Sequence, residues 1–155
     1  MPVDLAECGL ILKGDGVRHH LDAEAGVIWV VLVTRQYCNA RGERLVVAGI
    51  ETPDEGHRCR VSIPHAFAPR PGGGIDELFL AACRLAAEMP LVKVECDPRR
   101  SGLGLACELP VEDGGVTALQ LLSMLDRLIE AAESWYPKLA NPPTGDTAKT
   151  LRRSA

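Results

Sequence analysis

The chain has 155 residues, 46% of them hydrophobic and 25% charged, with a net charge of −4; that is an ordinary balance for one globular domain, which at this length can bury roughly 70% of its unfolded surface. The charge is uneven, because from Pro137 onward Lys138, Lys149, Arg152 and Arg153 stand against Asp146, a balance of +3 that leaves −7 on residues 1–136. An acidic body argues against nucleic acid as a partner, and the longest apolar run, the seven residues VIWVVLV (27–33), is far too short to cross a membrane.

The start MPVDLAECG carries early acids and lacks a basic segment followed by an apolar stretch. The expected compartment is therefore the cytoplasm, where thiols stay reduced. Six cysteines stand at 8, 38, 59, 83, 96 and 107, with no CxxC and no CxxH. That spacing does not support a zinc site, and the expectation is that these cysteines behave as small core hydrophobes. No metal and no cofactor is expected.

In chain order, Asp4 can cap a first helix in which Leu5, Cys8 and Leu12 recur at helical spacing and Gly14 ends it. Gly9 weakens that helix by about 1 kcal/mol relative to alanine. From Val17 to Ile63 the pattern is β: GVIWVVLVTRQY, then the turn NARG (39–42), then ERLVVAGI, then the turn TPDEG (52–56), then RCRVSI (58–63). In the last of these Cys59, Val61 and Ile63 face one way and Arg58, Arg60 and Ser62 the other, which predicts one wet face. PHAFAPRPGGG (64–74) breaks regular structure as a crossover within one domain. A helix follows over about 76–88, capped by Asp76, with Ile75 stapled onto Leu80 and Pro90 past its end.

LVKVEC and LGLACEL flank the loop DPRRSG (97–102) and predict a hairpin. Direct joining sets Cys96 across from Leu103, Val94 from Leu105 and Val92 from Cys107, with every apolar residue on one face. Cys96 and Cys107 then have different partners, which argues against a disulfide between them. The last helix spans about 118–135: Thr117 and Gln120 form a capping box, Val116 staples onto Leu121, and Pro137 stops it. Trp135 and Tyr136 point about 100° apart, so one packs in the core and the other is semi-exposed. Residues 1–139 are read as one domain and 140–155 as a disordered tail.

Glu112 and Asp113 sit side by side between a strand ending near Pro110 and the helix capped at Thr117. Neighbouring turn residues do not converge on one reacting centre, whereas acids ahead of a helix are favoured by its dipole. They read as punctuation.

PLVKVECD (90–97), ELPVEDGGVTALQLL (108–122) and AAESWYPKL (131–139) together resemble the YbjN-type domain family. Its members carry an acid at a strand–turn–strand, then a Leu-Pro-Val-Glu-Asp type of step into a helix. That helix opens Thr-x-x-Gln-Leu and ends aromatic–aromatic–Pro–x–Leu, here Trp135, Tyr136, Pro137 and Leu139. The resemblance covers 90–139 well and 17–63 more loosely, through packing and turn motifs. The chain departs from the pattern at its short first helix with Gly9 and in a middle helix ending LAAEMP. The resemblance implies an α+β fold like that of type III secretion chaperones, ordered α-β-β-β-α-β-β-α, with an antiparallel sheet packed with helices. The order read from periodicity is the same. It also implies a small cytoplasmic bacterial protein acting through protein contacts, often a homodimer, labelled a sensory-transduction regulator. No catalytic residue is carried over.

In VIWVVLV both strand faces are apolar, Ile28, Val30 and Leu32 on one and Trp29, Val31 and Val33 on the other; LVVAGI is likewise apolar on both. A sheet with helices on one side normally shows polar residues on the other. Either the middle helix covers the second face, or a second subunit or client chain does, by contact or by adding a strand. Trp29, Val31 and Val33 are the candidate partner-binding or dimer surface. The enzyme alternative is a thiol site using Cys59 and His57, or His19 and His20 with a distant acid; it requires a cation close to the thiol. His19, His20, His57 and His65 make a poor metal set, since adjacent strand residues face opposite ways. Arg99 and Arg100 read as solvated turn residues.

Overall fold

A computed structural model describes residues 2–69, 71–96, 102–111 and 115–139. The elements are α1 (Leu5–Gly14), β1 (His19–Asp22), β2 (Val27–Val33), β3 (Leu45–Glu51), a 3-10 turn (Asp54–Gly56), β4 (Arg58–Phe67), α2 (Ile75–Ala86), β5 (Lys93–Cys96), β6 (Leu103–Pro110) and α3 (Ala118–Leu139). The strands form one six-stranded antiparallel sheet in the order β1-β2-β3-β4-β6-β5. This is the expected α+β architecture and order, with one further short strand, β1, ahead of the other three. Glu112, Asp113, Arg99, Arg100, the turn at Asp97 and the segment 140–155 lie outside the described residues.

Local chemistry places the helices. Asp4 Oδ1 accepts the Glu7 N–H at 2.7 Å and opens α1. The Val3 N–H donates to the Gly56 carbonyl at 3.0 Å, and a Cβ on Gly56 (φ +85°) would come within 2.4 Å of Val3 O. Only glycine fits there. Thr117 and Gln120 make the anticipated reciprocal cap, with N–H···O distances of 2.9 and 3.2 Å. Val116 and Leu121 are both buried beside it.

Four local expectations are corrected. Helix α2 starts at Ile75 with Gly74 at its cap position, so Asp76 lies in the first turn, where the helix dipole favours it. Leu80 is 55% exposed and forms no staple. Pro137 lies inside α3, which ends at Leu139. A proline in the last turn forfeits only the bond its own N–H would have made to Glu133, and the buried Leu139 holds the final residues down. Strand β4 runs on to Phe67 rather than stopping at Ile63, with a register shift between those residues that accommodates Pro64. The β5–β6 hairpin keeps the anticipated register, Cys96 opposite Leu103 and Val94 opposite Leu105. Cys96 and Cys107 are free thiols.

The register sets Ile28, Ile50, Val61 and Cys107 in one row, and Ile63, Leu105 and Val94 in another. These rows share a face, and all but Val94 are buried. Against that face lie Cys8 and Leu12 of α1, Leu78 and Ala82 of α2, and Leu121, Leu125, Leu128, Ala132 and Trp135 of α3. Helix α2 packs on β5 and on α3. It therefore stands on the same side as α3, and the expectation that it covers the second face is overturned: its apolar stripe finds its partner in α3.

Candidate interaction surface

The second face carries the alternate residues of every strand. On β2 these are Trp29, Val31 and Val33, and on β3 their partners are Gly49, Val47 and Leu45. Val33 is 86% exposed, Val31 52% and Val47 39%, while Ile28 and Val30 on the other face are sealed. The strand is thus apolar on a face that no helix among the described residues covers. Trp29 is half-buried because its indole lies over Gly49, where a Cβ would meet ring atoms at 3.1 and 3.5 Å and Val27 at 3.2 Å. Gly49 gives the ring a flat floor, which continues through Ser62 and Ala106 in the same row.

Beyond Leu45 and Val47 the patch runs into a cavity of ≈ 360 Å³ between the loop Asn39–Glu43 and the Ile63–His65 stretch of β4. Asn39 shapes that loop: its Oδ1 accepts the N–H groups of Arg41 (2.9 Å) and Glu43 (3.0 Å). The loop's other end is held by α3, where the Glu133 carboxylate accepts from the N–H groups of Arg35, Gln36 and Tyr37. Burial pushes this carboxyl up, but those three donors outweigh it and hold it below the usual range.

The opposite end of the face is ionic. Arg60 on β4 reaches Glu95 of β5 (2.7 Å), Glu108 of β6 (2.8 Å) and Glu51 of β3 (3.4 Å). Lys93 and Arg58 also contact Glu108, and Arg58 contacts Asp54. The Glu108 carboxyl is held below the ordinary range by Lys93 and then by Arg60. Ser62 and Ala106 are buried on this helix-free face, the floor between the indole and these long side chains. Alternation alone puts Arg58, Arg60 and Ser62 on the wet face; their carboxylate partners come from three other strands and emerge only with the register. Val47 and Leu45 follow from the two-faced pattern of LVVAGI once β3 is paired with β2.

The thiol alternative at Cys59 and His57 is contradicted. Cys59 is fully buried on the helix-bearing face, while the His57 side chain is exposed past the 3-10 turn. Its contact with Cys8 and burial both push the Cys59 thiol up from its ordinary range. His19 is half-buried, with Nδ1 2.9 Å from the Val17 carbonyl, and His20 is exposed one residue on. Among the described residues no group of three or more His, Cys, Asp and Glu side chains is placed to hold a metal ion. Among them, too, no helix is long and apolar enough to cross a membrane.

A one-sided helix layer on an antiparallel sheet, with the other sheet face half apolar and half ionic, defines an α+β sheet-and-helix fold with an open face. The chain has a YbjN-like fold. The crystal structure of YbjN from E. coli, a candidate transcription regulator, matches it with a TM-score of 0.61 over 84% of this chain and 90% of that chain, at 14% identity. No family model matches the sequence, and no curated protein matches it.

Proposed function

We propose that this chain is a non-enzymatic interaction module, adaptor- or chaperone-like in its action, that holds a partner polypeptide on the open sheet face at Trp29, Val31 and Val33. The reading includes a cytoplasmic setting, a role in sensory or regulatory transduction, and a homodimer as one form of the partnership. The observation that carries it is the uncovered apolar end of β2, where Val33 is 86% exposed and Val31 52%. A strand of branched residues gains by burial against another chain, since each such side chain contributes about 1.5–3 kcal/mol when fully covered. The fold it shares with a candidate transcription regulator supports a regulatory rather than a catalytic role. Its acidic body favours a protein partner over a nucleic acid.

Val33→Asp is the cleanest test, because the residue is the most exposed of the three; Trp29→Asp is the companion that also uncovers Gly49. Light scattering over a dilution series is expected to show wild-type self-association that Val33→Asp weakens at least about ten-fold, with an unchanged circular dichroism spectrum. A folded Val33→Asp protein with the same mass profile and the same captured polypeptides as wild type sinks the reading.

A further inference from the structure

Strand β1 is an outer strand of the sheet: β2 takes one of its edges, and among the described residues no strand takes the other. Helix α1 does not close that edge, because it sits above the sheet. A Cβ on Gly9 would lie 3.6 Å from His19 Nε2 and 3.8 Å from Ile28 Cδ1, atoms of β1 and β2. The open-face patch on β2 and β3 makes no use of this edge.

The residues along the edge are ordered by charge. The register places His20 beside Trp29 and Asp22 beside Val27 on the helix-free face, and Leu21 beside Ile28 on the other. Arg18 and Glu24 continue the spacing of His20 and Asp22 at the two ends. The run from Arg18 to Glu24, RHHLDAE, is therefore basic before Leu21 and acidic after it. Arg18, His20 and Glu24 are exposed. Among the described residues neither Arg18 nor Glu24 makes an ion pair within the chain. Asp22 is held in place, its Oδ1 accepting the Ala25 N–H at 2.9 Å. Leu21, at the centre, is left 45% exposed.

We propose that β1 is a self-pairing edge: a second copy of this chain adds its own β1 antiparallel to it, with Leu21 opposite the partner's Leu21. This two-fold register sets His20 against the partner's Asp22 and Arg18 against the partner's Glu24, each pair occurring twice. A short, charged edge ordinarily turns a neighbouring strand away. This order of signs turns away a parallel copy, which would set like against like, and accepts an antiparallel one. Faces match only when the register shifts by two, and centring it on His20 instead would set that histidine against itself and Glu24 against Gly16. The pairing gives partners to the outward N–H and C=O groups of β1 and covers the two half-exposed leucines together. The axis passes through the sheet, so the helix-free faces of both copies lie side by side and Trp29, Val31 and Val33 stay open. The contact therefore goes beyond the open-face reading and stands without it.

Sedimentation velocity at low salt tests this in the full-length Val33→Asp protein, where the open-face contact is removed. That protein is expected to dimerise. Adding either Arg18→Glu or Glu24→Arg sets like charges together at both ends of the seam and is expected to weaken the dimer about ten-fold. An equimolar mixture of those two variants is expected to recover the affinity of the parent, since each mixed pair again sets an acid against a base. A Val33→Asp protein that stays monomeric, charge variants that dimerise as tightly as their parent, or a mixture that recovers nothing overturns the proposal. Failure of the open-face reading shows separately, as a Val33→Asp protein with the wild-type mass profile.

Discussion

Arg60 collects carboxylates from three strands because its planar, five-donor guanidinium can serve several acceptors at once, which a lysine cannot do. The side chains of Arg60 and Glu108 are only 20% and 15% exposed, so their contact at 2.8 Å is less screened than an ordinary surface pair. Lys93 and Arg60 depress the Glu108 carboxyl. A carboxyl lowered on folding adds stability above its unfolded pKa of about 4.3 and loses it as pH falls through the lower folded value. Glu108→Gln is therefore expected to destabilise the protein by about 1 kcal/mol at neutral pH. The gap from wild type should close as the solution is acidified below about pH 4. Urea midpoints across that range check this. A gap that stays constant to low pH would mean that packing, not charge, sets the value of Glu108.

At the scale of elements, the N-terminal segment and the turn before β4 are locked together through Gly56. Any side chain there meets the Val3 backbone and must also adopt φ +85°. Gly56→Ala is expected to destabilise the fold by more than about 2 kcal/mol, combining backbone strain with overpacking. Hydrogen exchange should show α1 loosening first, and a melting temperature within a degree or two of wild type would contradict this.

Features governed by neighbouring residues were the legible ones. The Thr117–Gln120 cap, the Asp4 cap and the β5–β6 register all follow from spacing along the chain. Strand β1 was not legible as a separate strand, because His19, His20 and Asp22 lack β propensity and are held by pairing with Val27–Val30. The end of α3 and the length of β4 escape the sequence for a related reason. Proline reads as a stop in the sequence, whereas burial of Leu139 and of Phe67 carries the chain past it. At the candidate surface, strand alternation alone singled out Trp29, Val31 and Val33. Gly49 beneath the indole and the carboxylates around Arg60 each join distant segments, and no local pattern encodes them.

For the whole molecule, the decisive feature is that, among the described residues, all three helices lie on one side of the sheet and none on the other. At one end long ionic groups shield small residues; at the other Val31, Val33 and Val47 stand open. The two halves respond oppositely to salt. Ion pairs across an interface weaken as the screening length falls from about 10 Å at 0.1 M to about 3 Å at 1 M, whereas apolar contact is unaffected or strengthened. Association through Trp29, Val31 and Val33 is therefore expected to keep its dissociation constant within about two-fold across that range. Sedimentation velocity at both salt levels measures it directly. A ten-fold weakening at high salt would move the interface to the Arg58–Arg60–Lys93 end, where the partner would have to offer carboxylates in place of Glu95 and Glu108.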